Sequence, residues 1–186
     1  MDLLVSYECG HYGLARDEIL DVLGRLGDGH AQVERSSVDG IAHARTALDA
    51  REVTRRCRSL ADQGYPFRFA VKWVPVEYWC ETDLHSIRKL LEDNVRDRIT
   101  AGETWGLQVS KRRWEAHHSR DIIAHLAGAI DRKVALAHPD KIVHVDVLGR
   151  RTAVSVLRPE EIFSVRRYHP APKWTPARLV SPPAPR

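Results

Sequence analysis

The chain has 186 residues, 43 % apolar and 29 % charged. At about 100–200 residues per domain this allows one domain or two small ones, and the composition is that of a folded chain. Cys9, Cys57 and Cys80 are too few and too scattered for a disulfide framework. No apolar run approaches a membrane span, and MDLLVSYECG lacks the basic start and long apolar core of a signal peptide. A cytoplasmic protein with reduced thiols and no membrane contact is expected.

The formal net charge is +4. Residues 1–80 carry 10 Lys/Arg against 12 Asp/Glu, and residues 81–186 carry 19 against 13. The basic excess therefore lies in the second half. Arginine outnumbers lysine 23 to 6, which suits bidentate phosphate contacts, though a GC-rich gene gives the same ratio.

Residues 2–7 read as a short buried strand. Ile19, Val22, Leu23 and Leu26 form the apolar stripe of a helix over 16–26. Residues 31–36 and 41–47 read as two strands about the turn Val38-Asp39-Gly40. Asp49 is placed to cap the next helix, with Glu52 three residues on, and Val53, Cys57, Leu60 and Ala61 form its core face. The alternation of Phe67, Phe69, Val71 and Trp73 predicts a strand over 67–76, ending or running along an edge at Pro75. The order β-α-β-β-α-β predicts a ferredoxin-like domain over residues 1–80.

A second unit is expected over residues 81–168. Thr82 is placed to cap a helix whose face is Leu84, Ile87, Leu91, Val95 and Ile99. Trp105, Leu107 and Val109 alternate in a strand that runs into Lys111-Arg112-Arg113. Ser119 is placed to cap a helix with core face Ile122, Ile123, Leu126, Ala127 and Ile130. Residues 142–148 and 152–157 read as a hairpin about Gly149-Arg150-Arg151, and 162–168 as a last short element. From His169 the chain holds 6 prolines in 18 residues, which predicts an extended tail over 169–186 around Trp174.

The phosphate-binding and nucleophile-elbow motifs of common enzymes are missing, and no cysteine pair has zinc or redox spacing. Cys9-Gly10-His11 and the series His117, Asp121, His125 carry side chains able to bind a metal; a solvated polar surface is the better reading, so neither metal nor cofactor is expected. What stands out is basic. Lys111, Arg112 and Arg113 leave a strand, Ser119 and Arg120 open a helix, and Arg150 and Arg151 occupy a turn. Guanidinium groups beside a helix N-terminus suit a phosphate backbone. Trp114, next to the basic run, is a candidate base-stacking platform.

The stretch from Trp105 to Val165 resembles the THUMP domain, an RNA-binding module of certain tRNA-modifying enzymes. The resemblance rests on the basic strand end Lys111-Arg112-Arg113, the run Ser119-Arg120-Asp121-Ile122-Ile123, Val134-Ala135-Leu136 with His138-Pro139-Asp140, and the final strand Val154-Ser155-Val156. Residues 1–80 resemble the ferredoxin-like domain that precedes THUMP. The resemblance implies an α+β fold, a ferredoxin-like domain followed by a THUMP α/β domain. It also implies binding of the tRNA acceptor stem and 3′ end. With 186 residues leaving little room for an appended catalytic domain, a non-catalytic adaptor is expected, which presents tRNA to a separate RNA-modifying enzyme. SVLRPEEIFSV is similar to the group that serves an RNA cytidine acetyltransferase, forming N4-acetylcytidine. The alternatives are the RNA-binding subunit of a thiolating or methylating tRNA enzyme, or a protein-interaction module without RNA.

Overall fold

The computed structural model describes residues 1–116 and 118–165, with Ser119 as backbone only. The first unit runs β1 (Asp2–Ser6), α1 (Tyr12–Arg25), β2 (Gln32–Arg35), β3 (Ile41–Arg45), α2 (Ala50–Asp62) and β4 (Lys72–Val76). Its strands lie in the order β2-β3-β1-β4, all antiparallel, which is the ferredoxin-like arrangement. Helix α1 starts at Tyr12, a turn before the apolar stripe, and buries Ala15, Ile19, Val22 and Leu23. Asp49 caps α2 by accepting the Glu52 amide at 2.8 Å, and Cys57 is a fully buried core residue.

The strand expected over 67–76 is shorter, because its first half is captured elsewhere. Glu18 on α1 accepts the amides of Arg68, Phe69 and Ala70 at 2.8, 2.8 and 2.6 Å. A ladder would need those donors, so pairing with β1 waits until Lys72. Pro75 lies inside β4 opposite Leu3. On the other side of β4 a neighbouring strand reaches only Lys72 and Trp73, so the proline's missing N–H costs no ladder bond there.

The second unit runs β5 (Tyr78–Glu81), α3 (Leu84–Leu90), β6 (Trp105–Arg112), α4 (Ser119–Ala127), β7 (Lys141–Leu148) and β8 (Arg151–Leu157), and the chain then returns in β9 (Phe163–Ser164). Its sheet has the order β5-β8-β7-β6, with β6 parallel to β7 and the other pairs antiparallel. Strand β9 does not join that sheet. It pairs with β4 and makes the first sheet five-stranded.

Asp83, not Thr82, caps α3, accepting the Ser86 amide at 2.7 Å. Thr82 instead places its hydroxyl 2.9 Å from that of Thr152. The expected long helix changes winding: a π turn covers Leu91–Val95 and a 3-10 turn Arg96–Arg98. Ile87, Leu91, Val95 and Ile99, all fully buried, explain this. At four-residue spacing each step drifts about 40° around a 3.6-residue helix, and a wider turn keeps the four side chains in line. Ser119 is the first helical residue of α4 rather than its cap; His118 holds the cap position, without a side-chain bond. Ile122, Leu126 and Ile130 enter the core as expected, whereas Ile123 is 39 % exposed.

Alternation along β7 sends its two faces to different layers. Val143, Val145 and Val147 pack with Ile87, Leu91, Ile122 and Leu126 beneath α3 and α4. Ile142, His144, Asp146 and Leu148 take the other face, and all four are buried. That face meets the first sheet: Leu148 and Ala153 cluster with Leu4 and Val76, and Ile142 and Leu157 with Val74 and Ile162. Ser155 Oγ donates to the Pro75 carbonyl across the joint at 2.6 Å. The two sheets are thus back to back, with helices on the outer faces. Among the described residues no helix is long and apolar enough to cross a membrane. The tail over 169–186, Trp174 and the last three residues of the element expected over 162–168 lie outside the described residues.

Candidate nucleic-acid interface

The basic residues singled out in the sequence come from two distant segments, and parallel pairing joins them. Arg112 lies opposite Leu148, so β6 ends beside the turn between β7 and β8, and the Gly149 amide donates to the Arg112 carbonyl at 3.1 Å. Gly149 has φ 69°, the first central position of a two-residue turn where glycine carries that angle without strain. The turn is held against the first unit. Ser37 Oγ donates to the Leu148 carbonyl at 2.6 Å, and Arg113 Nη1 to the Ser37 carbonyl at 3.0 Å. Arg113 adopts φ 56°, the one described non-glycine residue in the left-handed region.

Two hollows open beside this turn. The first, of about 250 Å3, lies at the junction of the units and is lined by Arg35, Ser36, Ser37, His43, Trp79, Leu148, Arg150 and Arg151. Among the described residues no carboxylate lines it, though Asp2 stands behind its wall, 3.3 Å from His43 Nε2. The second, of about 780 Å3, is lined by Trp79, Cys80, Glu81, Thr82, Asp83, Trp114, Gly149, Arg150 and Arg151, and is mixed in charge. Trp79 is common to both. Its ring lies 4.7 Å beneath the Arg151 guanidinium and 5.3 Å from the His43 ring, and its indole N–H donates to Asp2 at 2.9 Å. The indole is thus held by its N–H bond, and one face carries the Arg151 guanidinium.

The remaining predicted residues are distributed as follows. Arg150 and Arg151 are exposed at the turn, and Arg113 is exposed while tied to Ser37. Lys111 is half-buried within β6. Trp114 is half-buried, packs against the second core and lines the larger hollow. Arg120 is exposed in the first turn of α4 and lines neither hollow, and Ser119 begins that helix. Arg112 departs from the expectation of an outward cation: it is half-buried, and its Nη1 is sealed from solvent. Alternation places Arg112 on the face of β6 that looks towards the first sheet.

Sequence reading missed Arg35, His43 and Trp79. No local pattern links them to the basic turn, because their approach depends on how β5 pairs with β8 and how the sheets meet. Chemically the hollows offer cations, hydroxyls and an aromatic face. Burial, with Asp83 nearby, pushes the Cys80 thiol up to about 11 against the opposing charge of Arg151, so it stays protonated near neutrality. Among the described residues no three His, Cys, Asp or Glu side chains gather to hold a metal ion. His117, of the series His117, Asp121, His125, lies outside them.

No family model matches the chain. It is similar to an uncharacterised protein of Methanocaldococcus jannaschii, 35 % identical over 85 residues, covering 44 % of this chain and 23 % of that one. Among solved structures it is similar to PH1313 from Pyrococcus horikoshii, with TM-score 0.59, 12 % identity, and 84 % of this chain and 54 % of that one covered. It is also similar to TrmN from Thermus thermophilus, with TM-score 0.57, 17 % identity and coverage of 90 % and 48 %. A third is a 4-thiouridine synthetase in complex with RNA and ATP, with TM-score 0.53, 16 % identity and coverage of 88 % and 41 %. The likeness is one of fold. The chain spans about half the length of those structures and under a quarter of the archaeal protein. The fold is α+β, a ferredoxin-like unit followed by a THUMP-type α/β unit.

Proposed function

We propose that this chain binds tRNA through the hollow at the junction of its two units and presents it to a separate modifying enzyme. The observation that carries this reading is the lining of that hollow, three arginines, a histidine and a tryptophan without a carboxylate. Arginine holds phosphates bidentately, and an aromatic face stacks an unpaired base whatever its identity. Arg150 and Arg151 take the phosphates, and Trp79 takes a base from the single-stranded 3′ end when Arg151 swings aside. Arg113, Arg120 and Lys111 extend the basic surface along the duplex, and Trp114 offers a second stacking face. The chain contributes no catalytic group in this reading. The enzyme it serves is an RNA cytidine acetyltransferase, consistent with the resemblance carried by SVLRPEEIFSV.

A second reading is favoured by the likeness to a 4-thiouridine synthetase–RNA complex: the same surface delivers tRNA to thiolation or methylation machinery. The two are separated by the modified nucleosides of tRNA from cells lacking the chain. Loss of N4-acetylcytidine alone supports the adaptor reading, and loss of a thiolated or methylated nucleoside with acetylation intact supports the second. Binding itself is tested with Arg150→Glu/Arg151→Glu. The double variant should weaken tRNA binding at least about tenfold and make the salt dependence shallower by about two phosphate contacts. Unchanged affinity and slope would reject this surface.

A further inference from the structure

Where β5 pairs with β8, two opposite charges stand side by side without meeting. Glu81 lies directly opposite Arg151, and Trp79 lies opposite Ala153. Residues two apart on a strand share a face, and so do directly opposite residues, so Trp79, Glu81 and Arg151 occupy one face of the sheet. The Cβ atoms of such a cross-strand pair are about 5 Å apart, close enough for an ion pair. The Arg151 guanidinium lies instead over the Trp79 ring, 4.7 Å from its centroid. The exposed Glu81 carboxylate, in the wall of the larger hollow, takes part in no hydrogen bond or ion pair among the described residues. The carboxylates beside it do have partners. Asp2 accepts the Trp79 indole N–H at 2.9 Å, and Asp83 accepts the Ser86 amide at 2.7 Å. Arg151 thus has two seats within reach of one side chain, an aromatic face and an unpartnered carboxylate.

We propose that Glu81 is a positioning residue for RNA binding, which receives Arg151 when an unpaired base takes the Trp79 face. The proposal rests on the reading of this junction as an RNA surface. In the free protein the guanidinium occupies the ring. A base that stacks on Trp79 displaces it, and a displaced guanidinium needs an acceptor. Glu81 supplies one with no movement of the backbone, because only the side-chain torsions of Arg151 have to change. The planar fork carries five N–H donors, so one edge holds Glu81 while another meets a phosphate of the same strand. Glu81 therefore strengthens RNA binding although it is an anion facing a polyanion. Charge alone gives the opposite sign, since removing an anion from a phosphate-binding surface tightens binding.

The test titrates the full chain with an end-labelled oligouridylate of four nucleotides, read by fluorescence anisotropy, and with tRNA. The wild-type chain should bind the oligouridylate, with affinity lowered at least about threefold in Glu81→Gln and mostly restored in Glu81→Asp, which keeps the charge. In the Arg151→Ala background no guanidinium contests the ring, and there Glu81→Gln should cause no loss. A purely structural role for Glu81 would not depend on Arg151 in this way. Unchanged or tighter binding in Glu81→Gln would overturn the proposal, as would a loss of the same size with and without Arg151→Ala. No binding of the oligouridylate by the wild-type chain would overturn it too, and the tRNA reading would then stand if tRNA still binds through Arg150 and Arg151. Coupling of Glu81 to Arg151 on the oligouridylate, with tRNA affinity untouched by Arg150→Glu/Arg151→Glu, would support the role of Glu81 and reject the tRNA reading.

Discussion

Asp146 is 6 % exposed in the layer between the sheets and faces His144, Lys72 and Arg112. Burial alone would raise its pKa; the His144 hydrogen bond and the three nearby positive or ionisable groups outweigh burial and hold it below the usual carboxylate value. A depressed folded pKa means the unfolded chain takes up the proton first. The contribution of Asp146 is therefore complete above about pH 4, the value of a free aspartate, and drains away as pH falls toward the folded value. Denaturant unfolding should show this acid-side loss, and Asp146→Asn should lower stability at pH 7 by about 3 kcal/mol while flattening the loss below pH 4. An acid limb identical in both proteins would show that Asp146 is not what holds the layer. In the sequence His144 and Asp146 read only as the polar half of an alternating strand. Nothing local reports that a second sheet covers them, and the same blindness made Arg112 look like an outward cation.

At the scale of elements, periodicity located seven of the nine strands and the four helices, since core faces repeat at fixed spacing, while β9 lies inside an element left without a type and β5 was not foreseen. The departures have particular causes. Residues 67–71 have the alternation of a strand, but Glu18, some fifty positions earlier, takes three of their amides. Glu18→Ala should therefore cost about 2 kcal/mol in urea unfolding and speed amide exchange at Arg68, Phe69 and Ala70, with Glu18→Gln intermediate because it keeps one acceptor oxygen. Protection unchanged at those three amides would mean that the segment is held by its apolar side chains alone. The π turn at Leu91–Val95 was legible only in retrospect, from four buried residues spaced four apart. The candidate interface was half legible. Both basic runs were visible, but Trp79 reaches them through a strand pairing that no local pattern encodes.

Across the whole molecule the units are bound by the strand that returns. Phe163, fully buried, lies in the first core against Phe67 at 4.8 Å between ring centroids, although it follows every strand of the second sheet. Phe163→Ala should cost about 4 kcal/mol and lower a single unfolding transition reported alike by probes in both sheets. Two separable transitions, with only one displaced, would show that the sheets fold independently. The same joint builds the candidate tRNA surface, since Arg35 and His43 come from the first sheet, Trp79 and Arg151 from the second, and Arg150 from the turn between β7 and β8. Titration of tRNA, intact or lacking its single-stranded 3′ nucleotides, against the wild-type chain and Trp79→Ala tests that surface most directly. The account predicts that the intact tRNA binds more tightly, that removing the 3′ nucleotides weakens it by about tenfold, and that Trp79→Ala erases the difference by weakening only the intact tRNA. Equal affinity for both tRNAs in the wild-type chain, or a difference that persists in Trp79→Ala, would contradict it.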